Sequence, residues 1–138
     1  MKSKTFVFDT NCLVSSLLIP SSIARLAHKK ADESGVLIFS METLAELKEV
    51  LTRPKFDKYI NLQKRLDFIQ GVEARSEFIE TSSIFTDCRD IKDNKFLALV
   101  YDGEADCIAT GDADLLILNP FNRIPIISPA DFLNNFAV

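Results

Sequence analysis

Five short apolar runs separated by helical patterns constrain this chain more than any other feature of its sequence. Residues 5–8 (TFVF) and 36–39 (VLIF) carry the β-branched and aromatic content of buried strands. Residues 78–81, 107–110 (CIAT) and 124–127 (IPII) follow as a third, fourth and fifth strand. Between them the spacing predicts helices over 22–34, 41–53, about 61–77 and about 91–102, with a short one after Pro129. Proline and glycine fall where helices start and stop: Pro20 before the first, Gly35 after it, Pro54 ending the second, Gly103 ending the fourth. Strand–helix alternation of this kind implies an α/β fold whose parallel sheet is covered on both faces. No repeat, low-complexity stretch or linker interrupts the pattern. Residues 1–138 are therefore expected to form one domain, a length that suits a single core.

Composition narrows the chemistry. Sixteen Lys+Arg against 20 Asp+Glu give a formal net charge of −4, and 47% apolar residues with 11 Phe exclude a disordered chain. No stretch approaches the roughly 18 apolar residues of a membrane-spanning helix. The apolar run after Lys4 meets Asp9 too soon for a signal peptide. Cys12, Cys88 and Cys107 are odd in number and lack C-x-x-C spacing, which argues for a reducing compartment and a cytoplasmic protein. The single histidine, His28, cannot build a two-histidine zinc site. Its helical position sets it away from Ile23, Leu26 and Ala27, so it is expected at the surface. Ser-His-Asp and Cys-His nucleophile systems have little support. What remains is chemistry by carboxylates, lysines or a metal held by oxygen ligands.

In open parallel sheets, sites form beyond the carboxyl ends of the strands. Asp9 directly follows the first strand, in F-D-T-N, and Asp112 and Asp114 follow the fourth, in T-G-D-A-D. Acids also cluster after strands because they build turns and helix caps, so either segment alone is ambiguous. Asp93 is more telling. Phe96, Leu97 and Val100 lie at i+3, i+4 and i+7 from it, which places its carboxylate in line with the buried face. Asp90 suits the cap of that helix. On the second helix Glu46 lies roughly 40° from the apolar arc of Leu44, Leu47, Val50 and Leu51. Glu42 and Glu49 lie farther round, on a solvated face.

Together these segments resemble the PIN-domain family of nucleases, in particular its small bacterial branch of VapC-like toxins from toxin–antitoxin pairs. The likeness rests on F-D-T-N-C-L-V-S-S-L-L, A-E-L-K-E-V-L-T-R-P-K-F, R-D-I-K-D-N-K-F-L-A-L, A-D-C-I-A-T-G-D-A-D-L-L and I-I-S-P-A-D-F-L, in that order along nearly the whole chain. It implies a three-layer α/β/α sandwich with a five-stranded parallel sheet in the order 3-2-1-4-5. The family's acidic set falls on Asp9, Glu46, Asp93 and Asp112, with Asp114 a frequent fifth member and Asn11 and Thr110 as supporting polar residues. One departure is Ile91-Lys92, where relatives often carry Pro and another acid; it sets Lys92 near the site.

The resemblance implies a metal-dependent endoribonuclease using Mg²⁺ or Mn²⁺, leaving a 5′-phosphate and a 3′-hydroxyl. Its expected partners are single-stranded RNA, an antitoxin protein and a second copy of the chain in a homodimer. The residue chemistry agrees, because hard divalent cations take carboxylate oxygens and can stabilise a phosphodiester in hydrolysis. Asp9, Asp93 and Asp112 are assigned to coordination, and Glu46 to a second ion or to orienting water. Positive charge for RNA is expected from Arg53, Lys55, Lys58, Lys64, Arg65, Lys92 and Lys95. A haloacid-dehalogenase-type phosphatase needs a second Asp where Asn11 stands. A receiver domain needs paired acids where Asp9 is followed by Thr10. The alternative that survives is a PIN fold kept as a silent scaffold for RNA or protein.

Overall fold

In the computed structural model, which describes residues 3–135, five parallel strands stand in the order β3-β2-β1-β4-β5. They are β1 (Lys4–Phe8), β2 (Gly35–Phe39), β3 (Glu77–Phe78), β4 (Cys107–Ala109) and β5 (Ile126–Ile127). β1 is central, pairing Phe6 with Leu37 on one side and with Cys107 on the other. The close approach of β2 to β1 is possible because residue 35 is glycine: a Cβ there would lie 2.2 Å from the Lys4 carbonyl oxygen.

Seven helices connect the described strands: α1 (Thr10–Leu18), α2 (Ile23–Ser34), α3 (Met41–Leu51), α4 (Leu62–Arg75), α5 (Asn94–Asp102), α6 (Ala113–Leu116) and α7 (Pro129–Asn135). Their starts obey capping chemistry. Ser22 and Asn61 accept from Arg25 and Lys64 N–H, and Ser40 and Thr43 close a reciprocal capping box. Strand alternation divides the core between the two faces of the sheet. Phe6, Phe8, Leu37 and Phe39 meet residues of α1–α4 and α7, whereas Val7, Ile38 and Ile108 meet Phe96, Leu97, Val100 and Leu115 of α5 and α6. The result is the three-layer sandwich expected.

Three local expectations are corrected. The residues after Asp9 form α1, an element missing from the strand–helix reading, because Asp9 is also its cap: Oδ1 accepts the Cys12 N–H at 2.8 Å. The predicted third strand over 78–81 is only the two residues Glu77–Phe78. Residues 79–90 then run without regular structure over α5. His28 is buried, with 7% of its surface exposed, while Ile23 and Leu26 are 50% and 52% exposed. The inward face of α2 is Ala24, Ala27, His28 and Ala31, since small side chains let the helix approach its neighbours closely. Ser16 Oγ donates to the Leu13 carbonyl at 2.7 Å and so accepts from His28 Nδ1 at 3.3 Å. The ring lies between Phe8 and Phe68, and burial lowers its pKa against the opposing pull of Asp32.

Arg65 is the fourth correction. It is wholly buried and holds the end of α3 to the start of α4, rather than offering charge to a nucleic acid. Its guanidinium donates to the carbonyls of Leu51 (2.7 Å), Ile60 (3.0 Å) and Arg53 (3.2 Å) and pairs with Asp57. Replacing it leaves three acceptors without a donor, each worth about 1 kcal/mol or more when buried. Arg65→Met should therefore lower the urea midpoint by an amount equivalent to about 3 kcal/mol, with the slope unchanged. A midpoint within about 0.5 kcal/mol of the parent would show this anchoring to be dispensable.

Candidate active site

The carboxyl ends of β1 and β4 face one crevice of about 180 Å³, lined among others by Asp9, Asn11, Glu46, Asp90, Asp93 and Asp112. Asp9 enters from the end of β1 and is 5% exposed. Burial raises its carboxyl pKa, opposed by donation from Thr110 and Cys12. Thr110, fully buried at the end of β4, gives its hydroxyl hydrogen to Asp9 Oδ2 and accepts the Asp112 N–H at 3.0 Å. Asp112 caps α6, accepting the Asp114 N–H at 2.9 Å. Asn11, exposed in the first turn of α1, forms part of the crevice wall, whereas Asp114 and Thr110 are not among the residues that line it.

The other two acids arrive from helices on opposite faces of the sheet. Glu46 projects from α3 and is held twice: Thr10 donates to Oε1, and Lys95 Nζ lies 2.8 Å from Oε2. Asp93 closes a 3₁₀ turn (Ile91–Asp93) that leads into α5. The capping work there falls to Asp90, which accepts the Lys92 N–H at 3.1 Å. Asp93 caps α5 by position but makes no capping hydrogen bond with its side chain. Its carboxyl instead feels that of Asp112, both as a hydrogen-bonding neighbour and as a like charge. Burial, this hydrogen bond and the charges of Asp112 and Asp90 together push the Asp93 pKa up to about 7, against the pull of Lys95.

Among the described residues, no three His, Cys, Asp or Glu side chains yet stand close enough to cage a cation. Asp9 is partnered by Thr110, Glu46 by Thr10 and Lys95, and Asp93 neighbours Asp112. The donor set nonetheless suits a hard divalent ion, being all oxygen and carrying more negative charge than one lysine neutralises. Two participants escaped the sequence reading. Thr10 follows Asp9 directly, but its role depends on the unrecognised helix α1. Lys95 was legible as a charge near the site, though not as the partner of Glu46.

The chain belongs to the PIN-domain family: a family model described as PIN domain matches residues 5–114, a span that encloses all five acids. The uncharacterized protein MJ1680 of Methanocaldococcus jannaschii is 30% identical over 140 residues, covering 94% of this chain and 90% of that protein. Among solved structures, PAE2754 from Pyrobaculum aerophilum is similar with a TM-score of 0.65 at 12% identity, over 98% of this chain and 91% of that chain. VapBC2 from Rickettsia felis, bound to a DNA fragment from their promoter, gives 0.55 at 15% identity, over 90% and 97%. VapC20 from Mycobacterium tuberculosis, a Sarcin-Ricin loop cleaving toxin, gives 0.51 at 9% identity, over 79% and 91%. At these identities the structural likeness is one of fold.

The raised pKa of Asp93 has a definite sign in stability. The folded state holds its proton up to about pH 7, the unfolded state only to 3.8. Its contribution is thus present at low pH and lost as pH rises through 7. In EDTA, the parent should lose melting temperature relative to Asp93→Asn between pH 6 and 8. The buried His28 acts on both proteins alike and cancels in the difference. Parallel profiles would mean that the Asp93 pKa is not raised in the folded protein.

Proposed function

We propose that this chain is a divalent-metal-dependent endoribonuclease acting as the toxin of a toxin–antitoxin pair, with residues 1–138 forming one catalytic domain. The observation that carries the reading is the convergence of Asp9, Glu46, Asp93 and Asp112 from four separate segments on one crevice at the strand ends. The crowding of these acids adds to it, because carboxylates gathered in one crevice favour a cation. Family membership and the fold shared with VapBC2 and VapC20 point to the same activity.

Asp9, Asp93 and Asp112 would hold Mg²⁺ or Mn²⁺, with Asp114, Asn11 and Thr110 supporting them. Bound there, the ion neutralises phosphate charge and activates water. The remaining work falls to the chain itself. Thr110 fixes the rotamer of Asp9, and Thr10 with Lys95 fixes that of Glu46. Glu46, thus oriented, accepts a proton from the attacking water or serves a second ion. Lys92, on the crevice wall, draws the phosphate in. A single-stranded substrate reaches such an open crevice without unpairing. The expected setting is the cytoplasm, and among the described residues no helix is long and apolar enough to cross a membrane.

Purified protein with Mg²⁺ or Mn²⁺ should cut single-stranded RNA internally, and EDTA should abolish the cutting. Asp9→Asn or Asp93→Asn should slow it at least about 100-fold, since metal charge stabilisation is worth several kcal/mol. Equal cleavage by variant and parent would trace the activity to a contaminant and favour the silent scaffold for RNA or protein. The same preparation bears on assembly. We infer a homodimer, with an antitoxin segment covering the crevice in the paired state. Light scattering across the micromolar range should return about twice the 15.5 kDa chain mass, and a monomer throughout would remove the claim.

A further inference from the structure

A second cavity, of about 290 Å³, lies beside the catalytic crevice. Its walls include Glu42 from α3, Asn94, Lys95 and Ala98 from α5, and Thr81 and Phe85 from the irregular segment that follows β3. The two hollows are neighbours by construction. On α3, Glu42 faces the second cavity and Glu46, one turn on, faces the crevice. At the start of α5, Asn94 and Lys95 border the cavity, while Phe96 and the preceding Asp93 border the crevice. The Lys95–Glu46 ion pair is the partition between them. One helical turn, about 5.4 Å, separates Glu42 from Glu46, so a strand with its phosphate in the crevice passes the next nucleotide over the cavity.

The cavity is built rather than incidental. Asp102 holds its outer lip by accepting the N–H groups of Ser82 (2.7 Å) and Ser83 (2.9 Å) and the Ser83 hydroxyl, bonds that also lower the Asp102 pKa. Phe85 is fixed edge-to-face against Tyr101 at 5.3 Å and Phe121 at 4.9 Å. Asn94 Oδ1 is taken by the Cys88 N–H at 2.8 Å, so its amide can offer only NH₂ hydrogens. Phe85 and Ala98 thus supply flat apolar surface, Glu42 supplies acceptors, and Asn94 supplies donors.

The geometry points to a nucleobase pocket that selects guanine next to the scissile phosphate, an inference that rests on the ribonuclease reading above. A carboxylate at the rim requires N–H donors, and guanine presents two adjacent ones, N1–H and N2–H, beside the O6 acceptor that an amide NH₂ can meet. Adenine and cytosine place a bare ring nitrogen on that edge, opposite the carboxylate. Uracil offers a single N–H flanked by two oxygens.

The test titrates isotope-labelled full-length protein with the 5′-monophosphates of guanosine, adenosine, cytidine and uridine, following amide resonances. GMP should shift Ser82, Ser83 and Asn94, binding about fivefold tighter or more than the other three, the low end of what one bidentate base contact discriminates. Glu42→Gln, a change at an exposed position, should erase the difference, and Thr81→Val provides a second variant at the rim. Equal binding of all four nucleotides, or discrimination unchanged in Glu42→Gln, overturns the assignment. Cleavage-site sequencing on mixed RNA separates the two levels. Guanine discrimination without RNA cutting leaves the pocket standing and removes the nuclease, whereas cutting without discrimination removes only the pocket.

Discussion

The hydroxyl of Thr110 ties the site together. It sits at the end of β4 with no solvent exposure, donates to Asp9 at the end of β1, and receives the Asp112 N–H. A carboxylate as buried as Asp9 is costly unless donors compensate it, and here two do, Thr110 Oγ and Cys12 N. The first exists only because β1 and β4 are parallel neighbours with their carboxyl ends level, Phe8 opposite Ala109, and the second is the cap that Asp9 makes on α1. The strand order that makes them neighbours therefore decides whether Asp9 and Asp112 can share a crevice at all.

The helices complete the charge balance. With Asp9, Glu46, Asp93 and Asp112 gathered, repulsion would open the crevice if nothing offset it: two carboxylates about 5 Å apart repel by roughly 3 kcal/mol at an effective dielectric of 20. Two offsets are visible. Lys95, from the same α5 that follows Asp93, crosses to Glu46 on α3 and ties the helices on the two sides of the sheet. Burial and the Asp112 carboxyl raise the Asp93 pKa to about 7, which reduces its charge below neutral pH.

Much of this was legible in the sequence because strand runs and their following acids are local signals. Asp9 and Asp112 could be placed from the residue before them, and Asp93 from the apolar stripe after it. Other features depended on what packs against them. Asp9 caps a helix that the serines at 15 and 16 obscured, and with that helix unseen, Thr10 had no visible partner in Glu46. The largest apolar residues of α2 gave the wrong face, since close packing selected its alanines and carried His28 inward. Arg65 looks like any surface arginine until three carbonyls at the α3–α4 corner are seen to need a donor. Irregular segments such as 79–90, which shape the second cavity, carry no periodicity to read.

The inward turn of His28 also limits how this chain can move protons. Its imidazole is enclosed by Phe8, Phe68 and Ser16, with its basicity lowered by burial, and it is not among the residues lining the crevice. The thiols are no substitute: burial raises all three cysteines, Cys107 to about 12. Acid–base work near neutral pH is left to oxygen acids. An ordinary aspartate is too weak a base for that task, but one raised to about 7 by burial and a neighbouring carboxyl is better matched. The crowding that makes Asp93 a liability to the folded state at high pH is thus the property that would let it exchange its proton for a cation at neutral pH. Stability and proposed activity draw on the same carboxyl pair with opposite sign.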